Sequence, residues 1–343
     1  MEGTILVATA GQGVLRSNDD GVTWARLGVG MDLEFDAVVR CLAVDPARPE
    51  TVYAGADIGV ARSDDAGATW RRVDGPMNGM AVWSMAIDPH DPRCMIVGTG
   101  APSRAALFRT DDGGETWHRL PPDIPEFCAG VNRPRILTIA FDPAVPGAAW
   151  FGIEEGGLWR SDDRGDTWSR VDGTPKSTPD GVTNSDIHCV TILEPDGDKP
   201  KTIIVAVVNA LFVSTDDGKT WTRTDSRAEF GVYYTRLVTR LPGGDELLLG
   251  IGDATPGTMT KILVSTDRGA SWTESALDVP ANSTTWAFGV HPADPSVVFA
   301  GTKYGHLFRS ADAGRTWTKE WREFSEITDV AWTPAVVQVE GGH

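Results

Sequence analysis

Seven prolines (Pro46, Pro89, Pro143, Pro195, Pro242, Pro292 and Pro334) each close a short apolar run, and the residues a fixed step before them carry the chemistry. Six positions ahead stand Arg40, Trp83, Leu137, Cys189, Arg236, Trp286 and Thr328. Two guanidiniums and two indoles in one column suit recognition. Arginine presents a planar fork to a carboxylate or phosphate, and an indole face stacks on a sugar or another flat ring. With the nearby Arg135 and His188, the expected ligand-binding set is Arg40, Trp83, Arg135, His188, Arg236 and Trp286. The alternative is structural: the arginines pair with local carboxylates and the tryptophans fill gaps between repeats.

One position later the column reads Cys41, Ser84, Thr138, Val190, Leu237, Ala287 and Asp329. A lone carboxylate in such company is costly unless paired, and Arg40 is its expected partner. In a functional reading, Asp329, Tyr234 and Asp186 are the candidate catalytic groups. A glycosidase needs a second acid across the pocket, for which Asp36, Asp186 and Glu326 are available. His188 and His306 are too scattered to suggest a metal, so neither metal nor cofactor is expected.

These columns need a repeated element to bring them together, and the sequence has one. "SNDDGVTW" at Ser17 recurs at Ser63, Thr110, Ser161, Ser214, Ser265 and Ser310 as Ser/Thr-x-Asp-x-Gly-x-Thr/Ser-Trp. Its tryptophans, Trp24, Trp70, Trp117, Trp168, Trp221, Trp272 and Trp317, lie 46, 47, 51, 53, 51 and 45 residues apart. A fixed period of this size means a repeat architecture. The hydroxyl and carboxylate tie backbone amides into a turn, and glycine takes a left-handed position. The indole folds back over the hairpin, its N–H seeking an acceptor. A calcium loop needs further oxygen ligands at fixed positions, and none recur. Around each box lie four short runs rich in Val, Ala and Leu, for example 38–45, 51–55, 59–63 and 69–73, as in antiparallel strands.

This pattern resembles the Asp-box, or BNR, repeat of β-propeller proteins, and the resemblance covers the whole chain. The family includes sialidases, xyloglucan-cleaving glycosidases, sortilin-type receptors and photosystem II assembly factors, so the box implies a fold and leaves activity open. The expected fold is all-β: one seven-bladed propeller of four-stranded antiparallel blades. The blades are expected near 36–75, 80–120, 134–172, 186–224, 233–275 and 284–320, with 326–340 joining 2–27. "TILVATAG" near the N-terminus lacks an inner strand and "ITDVAWTP" near the C-terminus is an orphan one, so together they close the ring. By type, Arg40, Arg135, Arg236 and Tyr234 match the arginines and tyrosine with which sialidases grip a carboxylate. Sialidases, however, have six blades and a Phe/Tyr-Arg-Ile-Pro motif that "NRPR" at 132–135 does not reproduce. Xyloglucan-cleaving enzymes work between two propellers, and this chain has repeats for one.

Box turns belong on one face of such a ring. Sites belong on the other, in the connections 28–37, 74–82, 121–135, 173–187, 225–234, 276–284 and 320–326. The expected function is binding of a small polar, anionic or glycan-like molecule in the axial pocket, with hydrolytic or lyase turnover. The alternative is a non-enzymatic scaffold for a protein partner. A formal charge of −17 disfavours nucleic acid and anionic membranes, and no apolar run is long enough to span a bilayer. Cys41, Cys94, Cys128 and Cys189 have no CxxC spacing and read as reduced, buried thiols. With no basic, apolar leader at the N-terminus, a cytoplasmic location is expected.

Overall fold

Apolar runs punctuated by Gly, Pro and Asp form short antiparallel strands, and the period of the boxes groups them in fours. The computed structural model describes residues 3–26, 33, 36–128, 130–171 and 186–334. Among these, seven sheets stand around an axis. The first blade runs outward through Val39–Asp45, Arg48–Ala56, Gly59–Ser63 and Arg71–Arg72. Equivalent inner strands follow at Val82–Ile87, Ile136–Phe141, Ile187–Leu193, Tyr234–Arg240 and Thr285–Gly289. The closing blade joins Ile327–Pro334 to Gly3–Thr9, Val14–Ser17 and Ala25–Arg26. Each inner strand packs on the next, and Ile327–Pro334 on Val39–Asp45, so the circle is complete. Positions 2, 27, 172 and 335–340 of the expected blades lie outside the described residues, as does most of 28–37 and 173–187.

Blade six departs from four strands. A two-residue strand, Ala276–Leu277, adds in parallel to its long outer strand Thr316–Glu323. That covers part of an edge that would otherwise present unpaired amides and carbonyls. A short helix, Ser226–Phe230, is capped by the Asp225 carboxylate at one end and by left-handed Gly231 at the other. No helix of the described residues is long and apolar enough to cross a membrane.

The core is not central but divided among the blade interfaces, as seven apolar clusters among the described residues. In one, Leu6, Ala8 and Val14 of the closing blade meet Val52 and Ala54 of the first. Fully burying a leucine or valine side chain stabilises by about 1.5–3 kcal/mol. Close approach depends on glycine in the second strand. A Cβ on Gly98 would lie 2.6 Å from Ile136 of the next blade, and one on Gly152 would lie 2.3 Å from Ile187.

The box turns behave as the sequence suggests, with one addition. In the first blade, Asp65 accepts from Ser63 Oγ at 2.8 Å, Thr69 N–H at 2.8 Å and Thr69 Oγ1 at 2.6 Å. Gly67 N–H donates to Ser63 Oγ at 2.8 Å. The other six boxes repeat the carboxylate bonds. Two successive residues are left-handed, Ala66 at φ 54° and Gly67 at φ 80°, where glycine alone was expected. The indole N–H groups of Trp24, Trp70, Trp117 and Trp317 donate to the box glycine's carbonyl.

An arginine just before the box hydroxyl then reaches the next blade's turn. Arg16 donates to Ala66 O at 2.9 Å, Arg62 to Gly113 O at 3.2 Å and Arg109 to Arg164 O at 2.8 Å. Arg160 donates to Asp217 O at 3.2 Å, and Arg309 pairs with Asp20 at 2.9 Å. Blades four and five have Val213 and Val264 at this position instead.

Candidate functional site

A β-bulge recurs near the start of every inner strand. Register skips between Val39 and Cys41, Val82 and Ser84, Ile136 and Thr138, and Ile187 and Cys189. It skips again between Thr235 and Leu237, between Thr285 and Ala287, and at Thr328 in the closing blade. The bulged residues are Arg40, Trp83, Leu137, His188, Arg236, Trp286 and Thr328. A bulge frees one residue from the ladder and re-aims its side chain, so this column lines the axis. The proline count matches it in six blades. In blade four it points to Cys189, whereas His188 is the bulged residue, because the run to Pro195 is one residue longer.

Above the bulges opens a pocket of about 390 Å³, and below it an axial channel of about 230 Å³. Cations and indoles organise the pocket. The guanidinium carbons of Arg40 and Arg135 lie 4.1 and 4.9 Å from the Trp83 ring centre. Arg236 and Lys303 sit over Trp286 at 3.9 and 4.1 Å. Desolvated cation–π contacts of this kind contribute about 2 kcal/mol. Trp83 Nε1 donates to Ala101 O at 2.7 Å, which fixes that ring. Tyr234 stacks on Trp286, centres 6.4 Å apart at 11°. The indoles thus hold and aim cations, where the sequence suggested open platforms for a sugar.

Two carboxylates complete the pocket. Arg135 donates to Glu154 Oε1 at 3.0 Å, while Oε2 is buried without a protein partner. His188 Nε2 lies 3.2 Å from Asp186 Oδ2 and Nδ1 lies 2.7 Å from Thr235 O, so both ring nitrogens face acceptors. Asp186 Oδ1 is likewise buried and unpartnered. Burial raises Glu154 above the usual carboxylate range and the charge of Asp186 adds to this, against the pull of Arg135, His188 and Arg236. Burial works on Asp186 too, but the charge and hydrogen bond of His188, with Arg236 and Arg135, hold it below that range. Burial also raises Tyr234, opposed by Arg236. Two neighbouring carboxylates pushed in opposite directions are arranged for unequal roles.

Arg40 and Arg236 have no carboxylate within ion-pair distance among the described residues. Burial, aided by Arg236, Arg40 and Arg135, depresses the Lys303 ammonium to about 7. Glu326 touches it, however, and an adjacent carboxylate favours the charged form, so we read Lys303 as a cation at neutral pH.

The sequence candidates separate into two levels. Trp83, Arg135, Asp186, His188, Tyr234, Arg236 and Trp286 line the pocket, while Arg40, stacked on Trp83, lines the axial channel below it. Asp329 lies deeper, in the channel. Its expected pairing with Arg40 is not what the structure has. Asp329 Oδ2 accepts from Leu42 N–H and Oδ1 from Val330 N–H, both at 2.8 Å. Main-chain amides on the exposed inner edge need acceptors, and Arg40 is drawn to the indole instead. Burial pushes Asp329 up to about 6, against those two amides and Arg236. Asp36 is exposed and outside the pocket, Glu326 holds Lys303, and His306 faces Glu323 at 3.5 Å.

Glu154 and Lys303 were not foreseen. They sit at hairpins between second and third strands, on the site face but outside the long connections singled out above. The stretch "EEGG" at 154–157 was the one signal in the sequence for Glu154, and Lys303 had none. Among the described residues no group of three or more His, Cys, Asp or Glu side chains is placed to hold a metal. All four cysteines are unpaired. Burial raises every thiol, which leaves none a ready nucleophile.

The BNR/Asp-box repeat family matches at residues 108–119 and 212–223, the boxes of blades two and four. The chain is an Asp-box β-propeller. A xyloglucanase from Paenibacillus sp is 30% identical to this propeller over 282 residues, 71% of the chain and 27% of that enzyme. The propeller thus spans about a quarter of that relative's length. Among solved structures, the GH74 xyloglucanase from Xanthomonas campestris superposes with a TM-score of 0.65 at 22% identity, over 87% of the propeller and 46% of that chain. YCF48 bound to D1 peptide gives 0.55 at 15% identity, over 87% and 83%. Both structural likenesses concern the fold.

Proposed function

We propose that the top-face pocket binds a small acidic, glycan-like molecule. Arg40 and Arg236 carry the reading. Each guanidinium is held on an indole, has no carboxylate within ion-pair distance among the described residues, and lies within the same converging set of cations. An anion supplies what the protein does not. The pocket is concave and of small-molecule size, which favours this reading over a flat docking face for a protein. The xyloglucanase relative supports a carbohydrate. Glu154 and Asp186 line the same pocket with part of each side chain exposed, and offer carboxyl groups to sugar hydroxyls.

In this reading Arg40, Arg135 and Arg236 bind the charge, Trp83 and Trp286 position them, and Tyr234 and His188 shape the wall. A thermal-shift and calorimetric screen of sugar acids against their neutral counterparts tests it. Glucuronate or galacturonate should bind and glucose or xylose should not. Arg236→Ala should weaken acid binding about 10–100-fold, the worth of a hydrogen bond to a charged group. Equal response to acids and neutral sugars, or none to either, overturns the reading.

A further inference from the structure

We propose that Glu154 and Asp186 form an acid and base pair that hydrolyses the glycosidic bond of a terminal acidic sugar held in the pocket. This rests on the binding reading above and adds to it an activity and a division of labour.

The geometry comes first. Both carboxylates line one pocket with Arg135, His188, Tyr234 and Arg236. Each is held through one oxygen by a different donor, Glu154 by Arg135 and Asp186 by His188. The Glu154 side chain comes from a hairpin between second and third strands and Asp186 from the entry to the next blade's inner strand, so two separate elements present them. A buried oxygen without a donor makes a full negative charge on Glu154 expensive, and a proton on the carboxyl relieves it, while the part of the side chain that lines the pocket gives that proton access to a ligand. Asp186 faces the His188 ring, whose Nδ1 donates to the Thr235 carbonyl; Nε2 donates to Asp186 as well when the ring is an imidazolium, and that cation sustains the carboxylate's charge. One carboxyl is thus disposed to give a proton and the other to accept one. This division matches the directions in which burial and charge move them.

The reaction balances without a cofactor. Glu154 gives its proton to the leaving glycosidic oxygen as the bond to the anomeric carbon breaks. Asp186 takes a proton from a water that attacks the same carbon. The products are the free acidic sugar and an alcohol, and one water is consumed. Arg40 and Arg236 have a third part to play. They neutralise the sugar's own carboxylate, which otherwise repels Asp186 and sits unfavourably in a site that already holds two acids.

The test uses the full chain, 4-nitrophenyl and methyl uronosides of both anomeric configurations, and nitrophenyl glucoside and xyloside as neutral controls. Hydrolysis of one uronoside series and not of the controls is expected. Glu154→Gln should cost at least about 100-fold on the methyl glycoside, where the leaving oxygen needs a proton. It should cost far less on the nitrophenyl glycoside, which leaves unaided. Asp186→Asn should lose both. The wild-type pH profile should be a bell, its acid limb set by Asp186 and its alkaline limb by Glu154, and Glu154→Gln should lose the alkaline limb. A merely structural Glu154 would slow both substrates alike and leave the bell intact. Uronates that bind without any uronoside being hydrolysed would overturn the catalytic pair and leave the binding reading standing. Absence of both binding and hydrolysis overturns the two together.

Discussion

The two faces of this ring are built by opposite rules. On the box face seven turns repeat one set of bonds: serine or threonine, aspartate and glycine satisfy one another within eight residues. On the pocket face the backbone repeats, with a bulge in each blade, but the side chains do not. Arg40, Trp83, Leu137, His188, Arg236, Trp286 and Thr328 occupy equivalent positions with unlike chemistry. Equivalent places filled alike serve the fold. Equivalent places filled differently, with oxygens left unmet, mark the side available for a ligand.

The contrast is most exposed to failure at Trp317. It is fully buried and donates to Gly314 O at 2.9 Å. Trp317→Ala should cost about 3–5 kcal/mol and lower the melting midpoint by several degrees without changing the response to acidic sugars measured well below that midpoint. By contrast, Arg236→Ala should lower the midpoint less, since it forfeits one cation–π contact of about 2 kcal/mol, while weakening acid binding. If the two variants exchange effects, the division between faces is wrong.

Asp329 sharpens the comparison, since it does structural work on the axial side. Its folded pKa is raised to about 6 from an ordinary 3.8, so the folded state binds more protons than the unfolded between those values. Its contribution to stability is therefore fullest below about pH 4 and is lost as pH rises through 6, a swing on the order of 1–3 kcal/mol. Asp329→Asn should remove that slope from the stability curve, measured by denaturant titration from pH 4 to 7. An unchanged slope would mean that the carboxylate titrates normally.

The smallest effect belongs to the box face. Val213 stands where Arg16, Arg62, Arg109, Arg160 and Arg309 reach the next turn, and a cavity of about 600 Å³ opens beside it. Val213→Arg should reach the Arg268 carbonyl and add about 0.5–1 kcal/mol, read as a rise in denaturant midpoint. A fall would show that the neighbouring Arg268 side chain already fills that role through its bond to Glu194 O.

What the sequence made legible follows the same division. The boxes announced the seven blades, because seven identical turns leave an identical trace, and the unmatched end strands announced closure. The bulged column was also legible through its prolines, missing only His188, where one extra residue displaced the count. Glu154 and Lys303 were not, for their hairpins have no recurring partner in the other blades against which to stand out. Asp329 was noticed for its charge and assigned the wrong partner. Nothing in the chain's order says that a carboxylate beside an arginine will prefer the amides of Leu42 and Val330 when an indole competes for the guanidinium.

Ring closure carries a mechanical consequence. In the closing blade Gly3 stands opposite Pro334 and Thr4 opposite Thr333. The two chain directions therefore leave this pair from the same edge. Tension applied there peels the strands apart one bond after another instead of shearing them together, and a peeled ladder yields at low force. The peel runs inward from Gly3 until it reaches Asp329, opposite Ala8 and next to the bulge at Thr328, where the carboxylate's hold on Leu42 links the closing strand to the first blade. A pulled ring should thus open at its seam, pause at that link, and only then lose its remaining blades.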